Sequence, residues 1–198
     1  MELLILADDL TGALDTGIQF VAAGASTRVV LDPHYDLGQV DPDVQVLVVD
    51  TESRHIAQED AADLIQGIVR QAVGLSVSCI YKKTDSALRG NVGAELGAAL
   101  EASGADQLHF IPAYPKTKRT TKNGIHYIDG IPVGESVFRN DPFNPVLCSR
   151  VAEILSEGSG LPMISVKKEE IAGELPGIQI SNKTTEKNKM IPILSGIV

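Results

Sequence analysis

The chain has 198 residues, 43% of them hydrophobic, which is enough for one domain with a substantial core and too little for two full-sized ones. Seventeen basic against twenty-six acidic residues leave a formal charge of −9. That is the wrong sign for a general nucleic-acid binder, whose affinity comes largely from counterion release by Lys and Arg, and 4% aromatics without Trp offer little for stacking on single strands. No run approaches the roughly 20 apolar residues that cross a bilayer. The start, Met1 to Asp9, lacks a basic segment and soon meets two carboxylates, so it reads as a strand and not as a signal peptide. Cys79 and Cys148 lie far apart without Cys-x-x-Cys spacing. They read as small buried hydrophobes in a reducing compartment, and the expected location is cytoplasmic.

In chain order, Leu3 to Leu6 is apolar on both faces, as a central parallel strand should be. Leu10, Leu14, Ile18, Val21 and Ala22 recur at helical spacing and predict a core-facing helix that stops at Gly24. Strands are predicted at Thr27 to Leu31 and Val44 to Val49, then a helix on the stripe Ala61, Leu64, Ile65, Ile68, Val69 and Ala72. A strand at Val77 to Tyr81, a helix carrying Val92, Leu96 and Leu100, and a strand at Leu108 to Ile111 follow. This alternation predicts a three-layer α/β fold with a mostly parallel sheet and helices on both faces. From Pro112 to Pro145 the texture becomes proline- and glycine-rich, predicting a long loop and a β-hairpin insertion around Asp129-Gly130. A helix near Leu147 to Ser156 and a strand near Met163 to Val166 resume the fold. Residues 181 to 198 carry Lys183, Lys187 and Lys189 against Glu186 without clear periodicity, and are expected to be a solvated, disordered tail. The expected domain is therefore 1–180.

Polar residues collect where the strands end, which is where open α/β sheets bind ligands. The clusters are Asp8 to Asp15, Asp50 to Arg54, Lys82 to Asn91, and the proline-rich loop with Lys116, Lys118, Arg119 and Lys122. Each has a plainer reading: Asp9 or Thr11 caps the first helix, Glu52 and Arg54 form a surface ion pair, and Ser86 to Asn91 is helix-entry chemistry. Asp15 should come round near the same helical end as Asp8 and Asp9. Seven of the seventeen basic residues fall between positions 82 and 122, against four acids. A local positive surplus on an acidic chain suits a small anion, with Arg as the bidentate partner of carboxylate or phosphate. Carboxylates facing these cations can hold sugar hydroxyls or take a proton from one, so the expected ligand is a small polyhydroxylated acid.

Several chemistries lack their motifs: there is no Gly-x-x-x-x-Gly-Lys-Ser/Thr loop, no Gly-x-Gly-x-x-Gly after the first strand and no Gly-x-Ser-x-Gly elbow. His34, His55, His109 and His126 lack metal-ligand spacing, and His109, within a strand, reads as a satisfied core histidine. No metal site is expected.

The motifs Ala7-Asp8-Asp9-Leu10-Thr11-Gly12-Ala13, Asp50-Thr51-Glu52-Ser53-Arg54, Lys82-Lys83-Thr84-Asp85-Ser86-Ala87-Leu88-Arg89-Gly90-Asn91, and Pro112-Ala113-Tyr114-Pro115 with Arg119-Thr120-Thr121 and Asn123-Gly124 together resemble the N-terminal domain of the four-carbon acid sugar kinases. The resemblance runs to about Ser165 or Ile180. It implies ATP- and Mg²⁺-dependent phosphorylation of threonate, erythronate or 3-oxo-tetronate-type acids, with the acid held by this domain and the nucleotide by a C-terminal one. It implies catalytic roles for Asp8 and Asp85. The substrate-binding candidates are Asp9, Thr11, Asp15, Arg54, Lys82, Ser86, Arg89 and Arg119, with Arg89 and Arg119 on the carboxylate.

The chain departs from the family at Lys118, where a glycine commonly precedes the arginine, and it stops where the nucleotide domain is expected to begin. The expectations that follow are a truncated or frameshifted product, a separately encoded nucleotide half, or an isolated domain. The alternative function is a non-catalytic sugar-acid-binding module, and exposed apolar surface makes a homodimer an expectation.

Overall fold

The structure, a computed structural model, describes residues 1–166 and the backbone of 193–196. In chain order the elements are β1 (Leu3–Ala7), α1 (Leu10–Ala22), β2 (Thr27–Val30), β3 (Val46–Asp50), α2 (Gln58–Gly74), β4 (Cys79–Lys83), α3 (Val92–Ser103), β5 (Leu108–Ile111), β6 (Arg119–Lys122), β7 (Ile125–Ile128), β8 (Ile131–Pro132), α4 (Val151–Ser156) and β9 (Ile193–Gly196). The main sheet has the order β2-β3-β1-β4-β9-β5, and every pairing in it is parallel.

The pleat sends alternate residues to opposite faces, and two cores result. Leu4, Leu6, Leu47, Val49 and Ile80 pack with Ile65, Ile68 and Val69 of α2 and with Ala98 and Ala99 of α3. Ile5, Ala7, Val46, Val48 and Tyr81 pack with Ala13 and Phe20 of α1. The layers are therefore α1, sheet, and α2 with α3, as the alternation of elements predicts.

The insertion is a second, antiparallel sheet, β6-β7-β8. Its two tight turns, Asn123-Gly124 and Asp129-Gly130, both take positive φ, as two-residue hairpin loops require. The Asp129-Gly130 turn is as predicted; the first, an equally direct Asn-Gly signal, adds a strand beyond the expected hairpin.

Several expectations give way. The stripe Leu10, Leu14, Ile18 and Val21 does not face the core: these side chains are 39–57% exposed, and α1 buries Gly12, Ala13, Thr16 and Gly17 instead. The helix lies so close to the sheet that a Cβ on Gly17 would stand 3.1 Å from Val29 Cγ2, so small residues are needed where it crosses the strands, and Phe20 packs inward only near its end. Strand β4 runs two residues further than predicted and takes in Lys82 and Lys83. Met163–Val166 forms no strand. His109 is exposed on β5 and the buried histidine is His126, while both cysteines are only half-buried.

Within the expected tail, Ile193–Gly196 is a strand between β4 and β5. The backbone of two strands flanking a gap needs a hydrogen-bonding partner there, and this segment supplies it. The rest of 181–198 lies outside the described residues. Among the described residues no helix is long and apolar enough to cross a membrane.

Segment 155–159 crosses α3 over its glycines, and a Cβ on Gly93 would collide with the carbonyl oxygens of Leu155 and Glu157. Gly67, mid-α2, has nothing within 4 Å of a Cβ. Gly93→Ala is expected to lower stability by about 1–3 kcal/mol through overpacking. Gly67→Ala should raise it by roughly 0.5–1 kcal/mol through helix propensity. Denaturant unfolding of the two variants checks the contrast.

Candidate functional site

Strand order turns at β1: the chain moves from β1 to the edge strand β2, then returns through β3 and passes β1 to β4 and β5. The crevice at such a switch lies beyond the carboxyl ends of the strands. Asp8 and Asp9 follow β1, Asp50 ends β3, and Lys83, Thr84 and Asp85 stand at the end of β4, so three of the four polar clusters converge there. Asp9 caps α1 by accepting the Gly12 N–H at 2.8 Å. A Cβ at Gly12 would stand 2.7 Å from Asp9 Oδ1 and 3.2 Å from Lys83 Nζ, so the glycine leaves room for both.

Arg54 joins the three loops. Its Nε donates to Asp8 Oδ2 at 2.7 Å, its Nη1 pairs with Asp9 Oδ2 at 2.7 Å, and its Nη2 lies 3.8 Å from Asp85 Oδ1. The residue is 7% exposed. Burial works against its charge, but the hydrogen bond and charge of Asp8, then Asp85 and Asp9, outweigh burial and raise its pKa. Gly90 makes the contact possible: its φ is +80°, and a Cβ would stand 2.9 Å from Arg54 Cγ.

A second cluster continues from Asp85. Arg89 donates to both Asp85 oxygens, from Nε at 2.8 Å and Nη2 at 3.0 Å, and from Nη1 to Asp141 Oδ2 at 3.0 Å. Burial pushes the Asp85 pKa up, yet the bonds from Arg89 and the charge of Arg54 win and hold it below the usual carboxylate range. The N–H groups of Asn144 and Phe143, then Arg89, bring Asp141 down to about 2. Arg89 and Arg119 both lie over the Phe138 ring, which brings the hairpin insertion to the site. His126 is buried, and its burial lowers its pKa. In the resulting neutral form Nε2–H donates to Ser86 O at 2.9 Å and Nδ1 accepts from Thr121 Oγ1 at 3.0 Å, tying the hairpin to the loop after β4.

Lys82 is a correction. As a strand residue it alternates with Lys83 and points to the α2–α3 face, fully buried, with Nζ 3.0 Å from Glu95 Oε2. Ser53 donates to the other Glu95 oxygen, and Thr51 donates to Ala7 O at 2.7 Å. Lys82 therefore supports the floor of the site and does not face the cleft. Lys83 does: it donates to Thr84 O at 2.8 Å, and burial lowers its pKa against the charges of Asp8, Asp85 and Asp9.

Asp15 is a second correction. It is exposed, because α1 turns Gly12, Ala13, Thr16 and Gly17 to the sheet, and no described contact joins it to the cluster. Thr11 is exposed on the first turn of α1, and Ser86 is half-buried with its carbonyl on His126. Lys118, where the resemblance leads one to expect glycine, holds φ +57°, so the left-handed turn before Arg119 is kept.

Sequence reasoning passed over Asp50, Lys83, Phe138 and Asp141. Asp50 and Lys83 stand inside the motifs already singled out; Asp141 and Phe138 carry no local signal beyond the Asp141-Pro142 turn. Burial, with the charges of Glu52 and Asp9 adding to it, raises the Asp50 pKa to about 6. Three buried atoms at the site have no hydrogen-bond partner among the described residues: Asp8 Oδ1, Thr84 Oγ1 and Arg119 Nε.

Residues 3–192 match the family model described as a sugar-binding N-terminal domain, further along the chain than the motifs alone reach. The chain is 36% identical over 172 residues to a D-threonate kinase of Salmonella typhimurium, covering 86% of this chain and 40% of that protein. It is 33% identical over 159 residues to a D-erythronate kinase of Heliobacterium modesticaldum, covering 80% and 36%. A structure of a domain of unknown function from Bordetella bronchiseptica, a domain-swapped dimer with bound citrate, matches with a TM-score of 0.76 and 32% identity, over 100% of this chain and 47% of that one. The chain thus spans about two fifths of the length of these curated relatives.

The raised pKa of Asp50 has a consequence for stability. Between about pH 4 and 6 the folded chain keeps a proton there that the unfolded chain releases, so this group's contribution falls as pH rises through that window. Asp50→Asn, neutral at every pH, should be more stable relative to the wild type at pH 7.5 than at pH 4. Denaturant unfolding at the two pH values checks the sign.

Proposed function

The chain belongs to the sugar-binding N-terminal domain family, and from that premise we propose that it binds four-carbon sugar acids of the threonate and erythronate class as the substrate-holding part of an ATP-dependent kinase. The observation that carries this reading is the chain of contacts that joins the acidic turn, Arg54, the Asp85–Arg89 loop and, through the Phe138 ring, Arg119. A polyhydroxylated acid matches both parts, with carboxylates for its hydroxyls and guanidinium groups for its acid. The relatives' substrates and the citrate in the similar structure are hydroxylated carboxylic acids, which supports the same class.

The roles divide by what each group already holds. Asp85 accepts from Arg89 through both oxygens and stays ionised, so it positions Arg89 and is a poor proton acceptor. Asp8 Oδ1 has no donor among the described residues, and Asp8 is the group proposed to orient the attacking hydroxyl, with Asp9 beside it. Arg119 and Arg89 take the carboxylate.

Phosphoryl transfer is mostly positioning and charge stabilisation. Among the described residues no group of three His, Cys, Asp or Glu is placed to hold a metal ion, and the aspartates of the crevice are engaged by Arg54 and Arg89. ATP and Mg²⁺ are therefore proposed to be carried by a separate nucleotide domain, attached or separately encoded, while this domain binds and orients the acid.

Calorimetry with D-threonate and D-erythronate is expected to show binding by this chain without ATP turnover, and turnover only with a nucleotide domain added. Arg89→Ala should weaken sugar-acid affinity about 10- to 100-fold, the worth of lost charge-assisted bonds. Undiminished affinity would remove Arg89 from the site. The exposed apolar face of α1 gives a second outcome: concentration-dependent self-association, read by sedimentation and dispersed by Ile18→Lys.

A further inference from the structure

Phe138 lies in the short turn Val137–Asn140 after the hairpin insertion. Its ring packs against a small core of Ala87, Ile128, Val133 and Val146, made by the loop after β4, by β7 and by the segment that follows. Two guanidinium groups share this ring, with Arg89 Cζ 5.1 Å and Arg119 Cζ 5.9 Å from its centroid. They arrive from separate parts of the chain, one from the loop after β4 and the other from β6. The face of an aromatic ring attracts a cation, so one side chain draws both toward it.

The two cations differ in what else holds them. Arg89 is matched by Asp85 and Asp141. Arg119 is not matched in the same way. Its Nη1 donates to the Thr117 carbonyl at 2.7 Å, its Nε is buried without an acceptor among the described residues, and the carboxylate it pairs with, the exposed Asp129, lies at 3.7 Å. A buried donor left unpaired is costly, and two like charges on one ring repel. A carboxylate brought to the partly exposed guanidinium of Arg119 offsets the repulsion.

We propose that Phe138 is a specificity-determining positioning residue for the acid group of the ligand. The ring holds Arg119 beside Arg89 and at 3.7 Å from Asp129, an ion pair without a hydrogen bond, so that its guanidinium can still turn to the carboxylate of a ligand. This rests on the sugar-acid reading given above. Without the ring, Arg119 is free to close on Asp129, and the acid group loses its anchor while the hydroxyl-binding aspartates are untouched.

The test is calorimetry of the full chain with D-threonate. Phe138→Leu is expected to weaken binding about five- to tenfold, the scale of a partly desolvated cation–π contact, and Phe138→Tyr, which keeps the ring, to stay within about twofold of the wild type. In an Arg119→Lys background, where planar stacking is already lost, Phe138→Leu should add less than about twofold. Asp129→Asn, by removing the competing carboxylate, should restore part of the affinity lost in Phe138→Leu.

Equal binding by Phe138→Leu and wild type overturns the proposal. So does an undiminished effect in the Arg119→Lys background, or the lack of any rescue by Asp129→Asn, since either would make the ring a packing element only. If Phe138→Leu does not fold, Phe138→Met is held to the same outcomes. A wild-type chain that binds no sugar acid removes the underlying reading, and this inference with it.

Discussion

The ion pairs of Arg54 with Asp8 and Asp9 are the constraint on which the rest of the crevice depends. A guanidinium that is 7% exposed has lost most of its water, and two short contacts plus a longer one to Asp85 offset that loss. Such a cluster adds little net stability compared with apolar packing, yet breaking it leaves uncompensated buried charge. Its effect is to fix geometry, because the loops after β1, β3 and β4 must all meet at one side chain. Gly90 follows from this requirement, since the loop after β4 can reach Arg54 only where no Cβ intervenes.

Behind this layer a second polar layer holds the floor. Lys82 and Glu95 pair within the α2–α3 face, Ser53 reaches Glu95, and Thr51 reaches the carbonyl that ends β1. Burial raises the Glu95 pKa against the charge of Lys82, so the pair is held by geometry and not by exposure to water. The functional residues therefore stand on fully engaged neighbours, which is what a site needs if its groups are to keep their directions without a ligand. The charges on the crevice are largely matched by the chain's own carboxylates. On the proposed reading, an acid ligand is taken at the edge where Arg119 stands, and hydroxyls beside Asp8, one of whose oxygens has no hydrogen-bond partner among the described residues.

Much of this was legible from the residues. Buried apolar runs marked β1 and β3 closely, the run Leu108 to Ile111 marked the less buried β5, and the alternation with helical stripes fixed the layer architecture. The strand-end clusters pointed to the crevice, and Asp8, Asp9, Asp85, Arg54 and Arg89 do meet there. The failures share one cause, which is that a side chain's direction depends on what its element packs against. Lys82 looked like its neighbour Lys83 until the extra two residues of β4 set their alternation. Asp15 and the apolar stripe of α1 looked inward by period, but the close approach of helix to sheet reserved the inner face for Gly12, Ala13, Thr16 and Gly17. His109, expected in the core, is exposed on β5 for the same reason.

The sequence by itself determined the class of fold, the family, and which segments carry the polar chemistry, because apolar period, turn residues and motif order are local properties of the chain. Only the tertiary structure decided which charges face one another, that Arg54 organises the aspartates, that Lys82 is buried against Glu95, and that Phe138 and Asp141 both touch Arg89. Those residues are brought together across 52 positions in the pairing of Arg89 with Asp141 alone. Electrostatic and packing energies depend on distance in space, and a string of residues records only distance along the chain.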